Sequence, residues 1–294
     1  MLLNLRKYYR PRSIEAVIRL LSANPGRCAV LAGGTHLLAV PRQDVEEVVD
    51  ISSLKLKSVK QENGNIRIGA TTTLQSILNS PRLRKVAGGI VEEACRRSSV
   101  SRMIRNQRTL GGEICGNWKR SDLGPVLLAL RARVKLVNFS MEEKEFPISD
   151  FWSMLAPRPG KRGLGQGVPG LVLEIVIPTP VPTSSAAFGH VAQIESQPSL
   201  ISGAAILEFG DDNQCHEARV AVSCFTDSPC RLPQLEANLQ GKMLTRELIA
   251  SSCSIGWEDF RPITDSRATA NYRRVVAPVL VRRLLDRCLA EGSH

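Results

Sequence analysis

Two short stretches hold residue types that bind an anion without help from a metal. The first, "LAGGTHLLAV" at 31–40, follows a short apolar run and sets Gly33 and Gly34 beside Thr35 and His36. The second, "RTLGGE" at 108–113, again places a hydroxyl residue, Thr109, just ahead of a glycine pair, Gly111 and Gly112. Successive backbone N–H groups can point inward as a nest around phosphate oxygens, and glycine lets the chain approach closely and take positive φ. Taken alone, either pair also reads as a simple tight turn, because glycine punctuates loops everywhere. Together they suit two edges of one site whose ligand is long and anionic in its middle, which describes a dinucleotide better than a mononucleotide. Neither turn has the G-x-x-x-x-G-K-[ST] spacing of a P-loop or belongs to a G-x-G-x-x-G fingerprint.

The flanking elements must hold these turns in place. In "SIEAVIRLLSANPG" the spacing of Ile14, Val17, Ile18 and Leu21 predicts an amphipathic helix, with Ser13 as N-cap and Pro25-Gly26 as the stop. "RCAVLA" follows as a short buried strand that runs straight into Gly33. "EEVVDIS" and "NIRIGATTTL" read as further strands, the latter opened by the turn residues Asn63-Gly64-Asn65, and "TLQSILNSPRL" and "GGIVEEACRR" read as helical. Beyond the second turn, Ser121 or Asp122 caps a helix with Pro125 in its first turn and Val126, Leu127, Leu128 and Leu130 as its apolar side; "RVKLV" returns as a strand. "APRPGKRGLGQGVPG" at 156–170 reads as a loop, "LVLEIVIP" as a strong strand and "TPVPTSS" as a linker. These place a domain boundary near residue 180, between 1–180 and 181–294. The second part holds "SGAAILEF", "EARVAVSCF", a helix in "LPQLEANLQG" and a long C-terminal helix "NYRRVVAPVLVRRLLDRCLAEG". Strands and helices alternate without the regular rhythm of a doubly wound sheet, so the expected class is α+β.

Composition narrows the functions. The 294 residues are 43% hydrophobic, enough for real cores, and no apolar run is long enough to span a membrane. The first residues lack a hydrophobic stretch followed by a small-residue cleavage site, so a cytoplasmic protein is expected. Eight cysteines, Cys28, Cys95, Cys115, Cys215, Cys224, Cys230, Cys253 and Cys288, are scattered without a C-x-x-C pair, and read as reduced thiols. An iron-sulfur cluster would have to live on another chain. His190 and His216 have no i+3 or i+4 partner for a metal, so no metal site is expected. The formal charge of +11 raises nucleic acid as a partner, but the basic residues come in short groups and the aromatics are 7 Phe, 3 Tyr and 3 Trp with no interleaved track, so nucleic-acid binding is not expected. A basic face for an anionic ligand or an acidic subunit, or a merely solvated surface, explains the charge as well.

The ordered set "AGGTHLL" at 32–38, "IRNQRTLGG" at 104–112, "SDLGPVLLAL" at 121–130 and "DSRATANYRRVVAPVLVRR" at 265–283 resembles the FAD-binding subunits and domains of the molybdenum hydroxylases, the group of xanthine dehydrogenase and aerobic carbon monoxide dehydrogenase. The resemblance implies a flavin domain of the p-cresol methylhydroxylase type, two α+β subdomains with FAD between them. A smaller α+β C-terminal domain, like that of the carbon monoxide dehydrogenase flavoprotein, would follow over 181–294. It places Ala32, Gly33, Gly34 and Thr35, flanked by Leu31, His36 and Leu37, along the pyrophosphate. Thr109, Gly111, Gly112 and Glu113 would form the other edge. Asp122 matches an aspartate that hydrogen-bonds the cofactor, and Val172 an apolar position near the flavin ring. No catalytic residue is implied in this chain. The partners implied are an iron-sulfur subunit with [2Fe-2S] clusters and a molybdopterin-binding subunit that oxidises the substrate, with NAD+ or another carrier taking electrons from FAD.

Three positions depart from the pattern. His36 stands where an acid is frequent, and Glu113 replaces the asparagine that closes T-x-G-G-N, putting a carboxylate beside phosphates unless an arginine such as Arg105 or Arg108 neutralises it. "HVAQIESQ" at 190–197 aligns with K-V-A-Q-R, so His190 stands for a lysine expected near the flavin. These departures keep open a docking subunit of the same complex that holds FAD weakly. A stand-alone flavoenzyme of the same superfold, such as a cell-wall enolpyruvyl reductase, is disfavoured by "IRNQRTLGG" and "DSRATANYRR".

Overall fold

The computed structural model describes residues 2–84, 86–116, 118–155, 170–195, 197–210, 212 and 214–292. The loop expected over 156–170 lies outside these residues except for Gly170. The chain divides into two compact units, each discontinuous in sequence: Met1–Asn79, Ser101–Asn117 and Ala132–Pro178 make the first, and Ser80–Val100, Trp118–Arg131 and Thr179–His294 the second.

In the first unit, the helix Ile14–Ala23 forms where its periodicity predicts. The Ser13 side chain accepts the Ala16 N–H at its start, and Val17, Ile18 and Leu21 turn inward onto Val49, Ile51, Leu54, Leu171 and Leu173. Burying each of those helix side chains contributes roughly 1.5–3 kcal/mol. This helix connects β1 (Lys7–Tyr9) to β2 (Cys28–Leu31), and both pair in parallel with the central β3 (Glu47–Asp50). As the middle strand, β3 is buried at every position; its acids are met by Lys7 on Glu47 at 3.3 Å and by the Tyr8 hydroxyl on Asp50. β2, expected to be buried, is half-buried throughout because it is an edge strand.

The second sheet of this unit is antiparallel, in the order β4 (Val59–Glu62), β5 (Asn65–Gly69), β8 (Gly170–Pro178), β6 (Arg133–Asn138) and β7 (Glu143–Pro147). Asn63 and Gly64, with φ of 50° and 70°, close the β4–β5 hairpin as an Asn-Gly turn favours. β8 is central and reads as an almost unbroken apolar run for that reason. The helix Leu110–Gly116 packs on β5 and β8, and the helix Ile148–Leu155 braces it, the Trp152 indole donating to the Ile114 carbonyl at 3.0 Å. The stretch read as one helix around 73–83 is two, Leu74–Leu78 and Pro81–Arg84, because Asn79 caps the first and Pro81 starts the second.

The second unit carries an antiparallel sheet in the order β12 (Cys230–Arg231), β11 (Cys215–Ser223), β10 (Ile201–Phe209) and β9 (Ser184–Val191). The long helix Ala270–Gly292 lies on β9 and β10, where Gly189 and Gly203 leave room for Leu280 and Leu284. Its start is fastened by Arg273, whose side chain is wholly buried and donates to the carbonyls of Leu200, Ile263 and Ala268 and to Asp265. Burial works against the Asp265 carboxylate, yet the hydrogen bonds from Arg273 and Arg267 hold its pKa well below the usual carboxylate range. The "DSRATANYRR" segment is therefore a staple between the loop and the helix. Ahead of the helix Leu123–Ala129, the Ser121 hydroxyl accepts the Leu123 N–H, whereas Asp122, itself in αR geometry, makes no side-chain cap. Among the described residues no helix is long and apolar enough to cross a membrane.

Candidate functional site

A cavity of about 290 Å³ opens in the first unit, and all its lining residues belong to that unit. One wall is the turn after β2. Gly34 there has φ of 72°, a conformation that favours glycine, and the turn is closed by the Leu38 N–H on the Gly34 carbonyl and the Ala39 N–H on the His36 carbonyl. The backbone N–H groups of Gly33, Gly34, Thr35, His36 and Leu37 donate to no acceptor among the described residues. Five consecutive donors without an internal partner, beside a cavity, form the kind of concavity that accepts an anion. Gly33 has a second reason to lack a side chain: a Cβ would come 1.7 Å from the Gln107 carbonyl oxygen, so this turn and the segment just ahead of the second turn touch backbone to backbone.

The opposite wall is the start of the helix Leu110–Gly116. Its N–H groups are already used: Leu110 donates to Thr72, Gly111 to Ala70, Gly112 to the Thr109 hydroxyl at 3.1 Å and Glu113 to the Thr109 carbonyl. Thr109 is thus the N-cap of this helix, and a Cβ on Gly111 would press on Ala70 at 2.8 Å. This second turn supplies a close-packed wall with a polar lip, and the first turn supplies the unengaged donors.

Charge enters the pocket at few points. Glu113 lines it and is only 2% exposed, with Arg108 facing its carboxylate at 3.7 Å. Arg42 lines it as well and is held by Asp44, Nε to Oδ1 at 2.7 Å. The His36 ring sits against Gly116, where a Cβ would come within 2.8 Å of Cδ2, and its Nε2 is buried with no hydrogen-bond partner among the described residues. Burial lowers the His36 pKa; Glu113 opposes that shift, while Arg108 and Arg42 reinforce it. Burial pushes the thiols of Cys28 and Cys115 up to about 11 and about 12, so both stay protonated. Ala70, Leu171 and Val172 add an apolar side. Among the described residues no three His, Cys, Asp or Glu side chains gather as a metal site.

Of the expected residues, Ala32, Gly33, Gly34, Thr35, His36, Leu37, Thr109, Gly111, Gly112, Glu113 and Val172 line this one cavity, and Leu31 ends the strand that leads into it. Asp122 and His190 belong to the second unit. Asp122 is 5% exposed and its Oδ1 lacks a partner among the described residues. Burial raises its pKa, against the pull of Ser199, Ser202, Arg97 and Arg267. His190 lies on β9, stacked on Phe188 with ring centroids 6.2 Å apart, and burial lowers its pKa. Residues absent from the expectation also line the pocket, notably Arg42, Cys115, Gly116 and Phe139. Gly116 carried a signal: it lies one helical turn after Gly112, on the same side of the helix.

A family model described as "FAD binding domain in molybdopterin dehydrogenase" matches residues 3–180, and one described as "CO dehydrogenase flavoprotein C-terminal domain" matches residues 186–288. The protein YgfM of Escherichia coli K12 is 28% identical over 295 residues, covering 99% of both chains. The caffeine dehydrogenase subunit beta of Pseudomonas sp. CBB1 is 26% identical, covering 98% of this chain and 96% of its own. Carbon monoxide dehydrogenase from Hydrogenophaga pseudoflava contains a chain of the same fold, with a TM-score of 0.86 at 21% identity over 97% of this chain and 98% of that one.

Proposed function

Because the chain belongs to the family of FAD-binding domains of molybdopterin dehydrogenases, we propose that it is the electron-transfer subunit of a molybdenum hydroxylase complex. It takes electrons from [2Fe-2S] clusters on one partner, downstream of a molybdopterin-binding partner, and delivers them through FAD to NAD+ or another acceptor in the cytoplasm. The observation that carries this reading is the row of five unengaged N–H groups from Gly33 to Leu37 on the rim of the pocket. A diphosphate bridge accepts such donors, and the Thr35 hydroxyl adds one more. When bound, FAD would supply the redox chemistry. The chain's own residues do the holding: Gly33 and Gly34 shape the nest, Gly111, Gly112 and the capping Thr109 close the far side, Arg108 offsets Glu113, and Val172 gives an apolar surface. In this reading residues 1–180 form the flavin domain and 181–294 the C-terminal domain. Relatives named as subunits, such as the caffeine dehydrogenase subunit beta, support a place within a larger assembly.

Glu113 favours one other reading, a docking subunit of the same complex that keeps the fold but holds FAD weakly, since a buried carboxylate lines the pocket. Isolation of the native complex separates the two. Stoichiometric FAD on this chain, with molybdenum and iron on co-purifying chains and flavin bleached by the complex's substrate, is the expected result. A colourless chain that still co-purifies with the iron and molybdenum subunits would support the docking reading.

A further inference from the structure

We infer that the His36 imidazole is a proton-linked binding group: a diphosphate seated on the N–H groups of residues 33–37 is held together with a proton on this ring. The inference rests on the FAD reading above. His36 contributes to the pocket twice, through its own unengaged N–H and through a ring that lines the same cavity. The ring is kept in place by Gly116, since any side chain there would displace it. Its Nε2, buried and without a partner among the described residues, is a polar atom whose need is unmet until something enters the pocket.

Among the described residues, the charged and titratable groups that face the ring come from three elements. Glu113 and Cys115 sit on the helix Leu110–Gly116, Arg108 on the segment just before it, and Arg42 on the loop leading to β3. Arg108 faces Glu113 at 3.7 Å and Arg42 is held by Asp44. Cys115 stays a thiol, with its pKa near 12. The imidazole is therefore the cation that the pocket can add or remove between about pH 5 and 8. In the ligand-free pocket burial keeps it below its ordinary value, hence neutral at pH 7. A diphosphate brings negative charge into the same cavity and favours the imidazolium. By linkage, binding takes up a proton: FAD affinity is high at low pH and is lost as pH rises through the pKa of the bound form.

The test is FAD affinity of the deflavinated full chain, measured from pH 5.5 to 8.5 by flavin fluorescence, with proton uptake from calorimetry in two buffers of different ionisation enthalpy. FAD suits it because its diphosphate bridge lacks the second ionisation that a phosphomonoester shows near pH 6. Wild type is expected to bind more tightly as pH falls, at up to about tenfold per pH unit, with net proton uptake at the steepest point. His36→Gln and His36→Asn are expected to give a flat profile without uptake while keeping the wild-type thermal midpoint in the absence of FAD. Glu113→Gln is expected to keep the slope and move it to lower pH, because Glu113 favours the protonated ring. FAD binding with a slope that survives both His36 variants, or that disappears in Glu113→Gln alone, overturns the inference. So does proton uptake of zero in wild type. Absence of FAD binding at every pH overturns the FAD reading itself, a separate outcome.

Discussion

The two glycine turns resemble each other in sequence and differ in what their backbones have left to give. Around Gly33 and Gly34, five N–H groups in a row have no acceptor among the described residues. Around Gly111 and Gly112, every N–H from Leu110 to Glu113 is spent on Thr72, Ala70 or Thr109. The glycines also serve different ends: Gly34 is there for its positive φ, whereas Gly111 is there so that a helix can lie against Ala70. Residue type makes an anion site possible, and the hydrogen-bond inventory shows which of the two turns still has donors to offer one.

The comparison is broken most directly at Gly34. A Gly34→Val substitution puts a β-branched residue at φ of 72° and a Cβ against Leu38 and Leu31 at 3.1 and 3.3 Å, so the turn must change shape. Losing two hydrogen bonds to a charged group, at about 1.5–3 kcal/mol each, lowers FAD affinity by about 100-fold or more. Equilibrium dialysis on the folded variant checks this; full flavin occupancy would mean that the first turn is not the cradle. Gly111→Ala acts on the other wall with a different signature. Its Cβ presses on the Ala70 backbone at 2.8 Å, so the thermal midpoint falls by the equivalent of about 1–3 kcal/mol while the folded fraction keeps most of its affinity. If FAD affinity fell as far as in Gly34→Val, the two turns would share the work after all.

Much of this arrangement is legible in the residues, and the limits have physical causes. The Ser13 cap, the apolar spacing of Val17, Ile18 and Leu21, and the Asn63-Gly64 turn are local signals, and each forms as read. The first glycine turn is local too, since strand, turn and nest are consecutive. The used-up state of the second turn is not local, because the acceptors are carbonyls of Ala70 and Thr72, brought alongside only by the fold. The discontinuous units have the same origin: residues 80–100 and 118–131 pack with the C-terminal part through contacts that no short window contains. Ser184 and Ser185, which open β9, read as linker because prolines precede them and small residues follow, and β7 gives no strand signal because "EKEFP" is a charged edge strand with little alternation.

A smaller effect is expected where the far wall meets charge. Arg108→Gln leaves the buried Glu113 carboxylate without the guanidinium that faces it at 3.7 Å, in the pocket proposed for the diphosphate. FAD affinity should fall by about tenfold, the size of one charge-assisted interaction. Adding Glu113→Gln should restore most of the loss, because the repelling charge is gone. A double variant as weak as Arg108→Gln alone would show that Arg108 acts on the phosphates directly, and would give the far wall a donor of its own.

The smallest expected change tests whether the second turn is closed by its cap alone. Thr109→Val keeps the shape of the side chain and removes the oxygen that accepts the Gly112 N–H at 3.1 Å. Loss of such an N-cap costs about 1 kcal/mol, so chemical denaturation should report a drop of that order, and Thr109→Ser should recover it. The same substitution frees one N–H at the far wall. If the turns differ only in how many donors are already engaged, Thr109→Val should lose stability yet hold FAD as well as wild type or slightly better, because Gly112 lines the same cavity. A fall in affinity larger than the fall in stability would mean that the Thr109 hydroxyl itself reaches the ligand, and the second turn would then be a binding element rather than a wall.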